Sequence, residues 1–443
     1  MSKDDKSLKL QPRLRFPEFK GGPEWDAPPM SDLYGFRSTN SLSRDELNYD
    51  TGSIYNIHYG DIHTKFQTQF HLDEEPVPFI DPAVAEELGN RLHLCREGDI
   101  ILADASEDLN DVGKAMELIS LGDRRVVAGT HTIHATRLGN NPVIGFGGYL
   151  FKSAAVRRGI HKEAQGAKVY GISSTRIGAI RLPLPHTSAE QRKIAECLGS
   201  LDDWIAAETD ALAELRRHKT GLMQHLFPLP GENVPRLRFP DFMSTPVWNK
   251  QRIGDVLEKK AKAISIDPNV SYREIGVRSH GKGLFHKEAV SGSALGAKRV
   301  FHVVPGAVVF NIVFAWERAV AVTSESERGF IASHRFPMFL PRSDRCDVRF
   351  MQRFFLTPTG RELLNIASPG GAGRNRTLNQ SDLSNLYANL PNVEEQRHIA
   401  DCLAWLDACI TAQRKTIETL HRHKRGLMQQ LFPAPSGIAE GIS

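Results

Sequence analysis

The chain has 443 residues, of which 40% are hydrophobic and 24% charged, with a formal net charge of +4 and a pI near 8.7. The composition is that of an ordinary soluble protein, and the length exceeds one hydrophobic core, so two or three domains are expected. So small a positive balance permits a nucleic-acid partner only through a local basic face.

The opening MSKDDKSLKL lacks the apolar run of a signal peptide, and residues 1–11 read as a disordered, polar start. The longest apolar stretch, 303–316, contains Pro305, Gly306 and Asn311. It is too short to span a bilayer and reads as a buried strand. Five cysteines occur without a CxxC pair. Neither a disulfide framework nor a zinc site is implied, and a reduced, cytoplasmic protein with no membrane contact is expected.

Past the start, the phrase PRLRFPEF occupies 12–19 and returns as PRLRFPDF at 235–242, with Trp25 and Trp248 each thirteen residues after the phrase's proline. Each phrase opens a divergent segment of roughly 150–170 residues, the size of one domain. Short runs such as 98–103 (GDIILA), 124–128, 306–310, 319–322 and 336–340 are bounded by turn residues and read as strands. Residues 81–88 and 348–365 read as helices. Each segment is therefore expected to be α+β with a mixed or antiparallel sheet. Both segments close alike: 166–185 matches 372–391, with a glycine-containing basic loop, a short helical turn and a Leu-Pro exit.

After each exit comes one long helix. Residues 190–228 (EQRKIAECLG…LFP) align without a gap with 395–433 (EQRHIADCLA…LFP), at an offset of 205. Thr187 with Glu190, and Asn392 with Glu395, have capping-box spacing. Ile194, Leu198, Leu201, Ile205, Leu212, Leu215, Leu222 and Leu226 recur at 4-3 spacing, and Ile399, Leu403, Leu406, Ile410, Ile417, Leu420, Leu427 and Leu431 fall on the same positions. This is an a/d seam of about five heptads. It is interrupted by Glu208 and Gln413, then by Lys219 and Lys424, polar positions that set register. Each helix is expected to stop at its Leu-Phe-Pro. At about 1.5 Å per residue each would be a rod of roughly 58 Å. Because the linker after the first helix is short, the two should pair antiparallel. The expected layout is residues 1–185 as a first domain, 186–228 as the first helix and 229–391 as linker and second domain. Residues 392–433 are then the second helix, and the tail 434–443 should return towards the first domain.

Signatures of chemistry are missing. There is no phosphate-binding GxxxxGK[ST] loop, dinucleotide fingerprint, GxSxG, HExxH or deaminase pattern. Residues 140–143 (NNPV) lack the aromatic end of the NPP[YF] signature of amino-methyltransferases, and the glycine run at 145–148 reads as a turn. His131 and His134 could ligate a metal from one strand face. With no third ligand in view, a plain pair of polar strand residues is preferred. Cys197 and Cys402 read as small packing residues beside the seam. Asp202-Asp203 and Glu394-Glu395 read as solvated helix charge or caps. No metal site and no catalytic residue is expected.

Two divergent domains carried on duplicated ends and helices suit a reader of two different DNA half-sites at fixed separation. In this arrangement of PRLRFPEF and PRLRFPDF, Trp25 and Trp248, EQRKIA and EQRHIA, KTGLMQHLFP and KRGLMQQLFP, the chain resembles the specificity subunit of type I restriction-modification systems over nearly its whole length. The resemblance implies target recognition domains at about 20–185 and 243–391. It implies helices that set half-site spacing and dock two modification (methyltransferase) subunits, and restriction (motor-nuclease) subunits in the full complex. S-adenosylmethionine, ATP and Mg²⁺ would then belong to those partners, with no cofactor in this chain.

Phosphates and base edges are contacted by Lys, Arg, Asn, Gln and backbone N–H groups. The candidates for double-stranded DNA are therefore the loop residues Gly373, Arg374, Asn375 and Arg376, their counterparts Lys168 and Arg176, and the pairs Arg157, Arg158 and Lys298, Arg299. Solvated charge is the plain alternative for each. A coiled-coil scaffold that does not touch DNA, and a methyltransferase or endonuclease in its own right, are the competing functions.

Overall fold

The computed structural model describes residues 10–296, 298–370 and 376–433. The chain divides into two compact units, one made of Met1–Glu208 with Thr416–Ser443, the other of Thr209–Lys415. Both mix helices and strands, so the chain is α+β.

In the first unit, β-branched and aliphatic runs build a five-stranded sheet ordered Tyr34–Arg37, Thr132–Arg137, Ile100–Ala103, Ala115–Ser120, Gln69–His71. Its last pair is parallel and the others antiparallel. A second, mixed sheet joins Leu47–Asn48, Phe79–Ile80, Ile54–Ile57 and Arg125–Ala128. Ile100 and Leu102 face one core with Trp25, Phe146 and Tyr149, while Ile101 and Ala103 face another with Ile57, Phe70 and Val126. Period-two alternation thus serves two cores from a single strand. Glu117 lies buried in this sheet and accepts hydrogen bonds from Gly145 and Gly148 N–H (3.0 and 2.7 Å). Burial pushes its carboxyl up to about 7.

The second unit pairs Leu257–Lys260, Met338–Pro341, Val308–Phe310 and Val320–Val322, all antiparallel. Ala263–Ile264, Val300–His302 and Ile331–Ser333 form a separate three-stranded sheet, whose Ala332 and Phe301 share a core with Val309 and Met338. Asn249–Arg252 pairs with Tyr387–Leu390, so the strand entering the domain lies against the strand leaving it. The first unit does the same with single bridges, Asp26 to Leu184 and Pro29 to Arg181.

Several expectations need correction. Leu10 is buried and bridges Trp25, with which it shares a core; residues 1–9 fall outside the described ones. The stretch 303–316 holds only a short strand, Val308–Phe310, since Pro305-Gly306 turns the chain and a 3₁₀ turn starts at Ala315. The helix expected over 348–365 is two, Val348–Leu356 and Pro358–Ile366, split where Thr357 caps the second and Pro358 lacks an N–H. The glycine run at 145–148 is a turn, as expected, only at Gly145 and Phe146; it then enters a helix, Gly147–Lys152, with Phe146 in the core. The tail 434–443 lies outside the described residues.

The long helices run Ser188–His225 and Val393–Leu431. In the first unit Leu201 and Ile205 pack with Leu420 and Leu427, while Ile194 and Leu198 share a core with Leu431 and Phe432. As one helix advances the other recedes, so the pairing there is antiparallel. In the second unit Leu226 and Phe227 share a core with Ile399 and Leu403, again antiparallel. Seam residues Leu212, Leu406 and Ile410 are buried, whereas Leu215, Leu222, Ile417 and Leu427 are half-buried. Among the described residues no helix is long and apolar enough to cross a membrane.

Candidate nucleic-acid interface and its helix anchor

The duplicated phrases meet in a duplicated anchor. Arg15 grips Glu190 with two parallel hydrogen bonds of 2.7 Å, and Trp25 Nε1 donates to the same carboxylate at 3.3 Å. In the second unit Arg238 grips Glu395 with two bonds of 2.7 Å, and Trp248 Nε1 donates at 3.3 Å. Both carboxylates are almost fully buried, and both arginines are only slightly exposed. The capping boxes expected at the helix starts are therefore half formed. Thr187 and Asn392 accept from the N–H of Glu190 and Glu395. The glutamate side chains turn instead to arginine, whose planar fork matches both oxygens.

The next residue repeats the logic. Gln191 accepts from Val143 N–H and donates to Pro185 O; Gln396 accepts from Asp347 N–H and donates to Pro391 O. Each buried amide thus ties the domain interior to the helix start. At the opposite helix end, Phe432 packs on Trp25 and Phe146, and Phe227 on Trp248 and Phe350. Leu14 N–H donates to Gln430 O and Leu237 N–H to His225 O, both at 2.9 Å, so the opening phrases take up carbonyls of the last helical turns.

The polar seam positions are paired too. Lys424 bonds Asp202, whose other oxygen accepts from Tyr149 Oη at 2.7 Å. Lys219 bonds Asp407, which Arg353 also contacts. Asp202 is thus a fixed partner rather than solvated charge, and the same holds for Glu395 in its anchor. Removing Lys424 and Asp202 singly and together should give a coupling of about 1 kcal/mol, since both are partly exposed. A double-mutant cycle of urea unfolding checks this, and additive losses would deny the pair any role in register.

The expected DNA-contacting residues scatter. Arg157 is turned inward, donating to the carbonyls of Asn110, Val112 and Gly113, so it ties down a loop. Arg158 and Lys168 are exposed. Arg176 pairs with Glu163 and bonds its carbonyl. Arg376 lies over the Trp316 ring and donates to Ser368 and Asn365 carbonyls. Gly373, Arg374 and Asn375 fall outside the described residues. His131 and His134 also part company. His134 is buried against Asp99 at 2.8 Å, while exposed His131 adopts φ 52° and faces Asp104. Among the described residues no group of three or more His, Cys, Asp or Glu is set to hold a metal.

Lys298 and Arg299 have company that the sequence did not announce. They line a cleft of about 530 Å³ in the second unit, with Lys287, Arg335, Asn311 and Phe314. Buried Glu274 holds Lys287 at 3.2 Å and Lys298 at 3.9 Å, and Arg299 lies over the Phe301 ring. Phe314 is 44% exposed. Positioned cations, an amide and an open aromatic face provide donors to phosphate and base edges and a surface for stacking.

No family model matches the chain. The putative type I restriction enzyme MjaX specificity subunit of Methanocaldococcus jannaschii is 21% identical over 294 residues, covering 64% of this chain and 65% of that protein. The type I restriction enzyme MjaVIII specificity subunit of the same organism is 22% identical over 311 residues, covering 64% and 69%. The chain thus spans just under two thirds of the first relative's length. A crystal structure of a type I restriction-modification S subunit from M. genitalium matches with a TM-score of 0.57 at 12% identity, covering 96% of this chain and all of that one. A chain from work on complex assembly and conformational transition of the type I R-M system matches with a TM-score of 0.52 at 15% identity, covering 93% and 98%. The fold is accordingly that of a type I restriction-modification S subunit, and the curated relatives of the chain are type I restriction enzyme specificity subunits.

Proposed function

We propose that this chain is the non-catalytic DNA-recognition subunit of a type I restriction-modification complex. Each unit reads one half of a bipartite, asymmetric site. The paired helices act as an antiparallel spacer that sets the distance between half-sites and docks two methyltransferase subunits. Motor-nuclease subunits join in the full, cytoplasmic complex, and S-adenosylmethionine, ATP and Mg²⁺ are held by the partners. The observation that carries this reading is the anchor: divergent domains are mounted on their helices through the same Arg–Glu–Trp and glutamine contacts. Identical mounting with different interiors is what two half-sites of different sequence require.

The test is a cassette exchange. Residues 20–185 are replaced by the same segment of a relative, the complex is assembled with its methyltransferase subunits, and the methylated motif is read from genomic DNA. One half-site should change and the other should persist. A change in both halves, or a wild-type complex with no sequence preference, refutes the proposal.

A further inference from the structure

The two units contain a second duplicated feature. In the first, a cleft of about 480 Å³ lies between the second long helix and the short helices that follow Phe146. In the second, a cleft of about 600 Å³ lies between the first long helix and the segment after Phe355, and Asp407, Ile410, Thr411 and Arg414 of the second long helix add a wall that has no counterpart in the first cleft. One helical wall is built from the same positions in both: 421, 424, 425, 428 and 429 in one, and 216, 219, 220, 223 and 224 in the other, all at the offset of 205. The facing walls match as well, with Lys152 and Ala154 standing where Leu356 and Pro358 stand.

Both clefts are cationic. The first is lined by Lys114, Lys152, Arg157, Lys424 and Arg425 against one carboxylate, Asp111. The second is lined by Arg216, Lys219, Arg318 and Arg414 against Asp407. Some of these charges are occupied: Arg157 and Lys114 by carbonyls, Lys424 by Asp202, Lys219 by Asp407. Lys152, Arg425, Arg216 and Arg414 have no carboxylate within ion-pair distance among the described residues, and all four are exposed. The crowding is felt at Lys152. Although its side chain reaches solvent, desolvation within the cleft, and then the charge of Lys424, push its ammonium down to about 8.

We infer that each cleft is a sequence-independent site for a backbone phosphate of duplex DNA. This rests on the DNA-reading function proposed above. The reason to assign phosphate is the contrast between what the two units share and what they do not. Base-reading surfaces must differ between unlike half-sites, whereas phosphate contacts carry no sequence information and can be the same at both. The clefts belong to the shared part in position and in sign of charge: Gln224 and Gln429 and the ion-paired Lys219 and Lys424 are identical across the repeat, whereas the open cations differ, Arg216 standing where the other copy has His421, Arg425 where it has Thr220 and Lys152 where it has Leu356. Met223 and Met428 are identical too and give each cleft an apolar wall.

The test uses the full chain on a random-sequence duplex and on its own target, with affinity measured between about 50 and 200 mM salt, a range over which phosphate contacts are strongly attenuated. Two variants are compared with wild type: Lys152→Gln with Arg425→Gln, and Arg216→Gln with Arg414→Gln. Each removes two exposed cations and leaves the anchors intact, which a thermal melt verifies. Each pair should flatten the slope of log K against log salt by about 1.8 and weaken binding at low salt by about tenfold, equally on both duplexes. Variants that keep the wild-type slope, while the wild-type chain binds DNA, overturn the site alone. So does a variant that binds DNA normally but fails to assemble with its partner subunits, which would assign the clefts to an acidic protein segment. A wild-type chain that retains no duplex at all overturns the DNA-reading function and this site with it.

Discussion

Replacing Glu190 with alanine is expected to cost the first unit about 3–5 kcal/mol, the penalty for leaving a buried charge without its partner. Arg15 would keep its guanidinium in a pocket where its side chain is 12% exposed, and Trp25 Nε1 would lose its acceptor. Glu395→Ala should do the same to the second unit through Arg238 and Trp248. The effect should be local in each case. Hydrogen exchange should rise across residues 10–208 in the first variant and across 209–415 in the second. The double replacement Arg15→Met with Glu190→Leu should cost less than Glu190→Ala, because it removes both charges rather than stranding one. A loss under about 1 kcal/mol for Glu190→Ala would mean that water reaches Arg15 and that the anchor is only a surface ion pair.

Phe432→Ala is expected to be nearly as severe. Phe432 is 2% exposed and packs against Trp25 and Phe146 at centroid distances of 6.0 and 5.6 Å. Large-to-small changes of buried aromatics cost about 3–5 kcal/mol, part of it from the cavity left behind. More than 400 positions separate Phe432 from Trp25 in the chain, so its loss should loosen packing that the residues near Trp25 in sequence do not supply. Phe227→Ala should act in the same way on Trp248 and Phe350. Urea unfolding of each variant, followed by unit-resolved hydrogen exchange, measures both. If Phe432→Ala left exchange in residues 10–208 unchanged, the first unit would not depend on the end of the second long helix.

The amino-acid sequence determined the repeat, and with it much of the architecture. Leucine and isoleucine at 4-3 spacing can be buried only along one helical face, so the helix pair was legible without coordinates. The α+β class followed from β-branched runs between turn residues. The anchor left a trace in the sequence as well: Arg15 and Arg238, Glu190 and Glu395, Gln191 and Gln396, Asp202 and Asp407 are identical across copies whose interiors diverge. The sequence showed that these residues recur. It did not show that they meet, because Arg15 and Glu190 are 175 positions apart and period-based reading reports only neighbours along one element.

Tertiary structure alone decided which charges remain available. Arg157 and Arg158 are adjacent in sequence on one helix, yet Arg157 is spent on three loop carbonyls while Arg158 stays in solvent, because successive helical residues project about 100° apart. Lys298 and Arg299 gained significance only when buried Glu274 and exposed Phe314 joined them from other strands and loops. A basic residue has the same composition whether its donors are satisfied or open. What separates the two is the position of distant carbonyls and carboxylates, which no local pattern encodes.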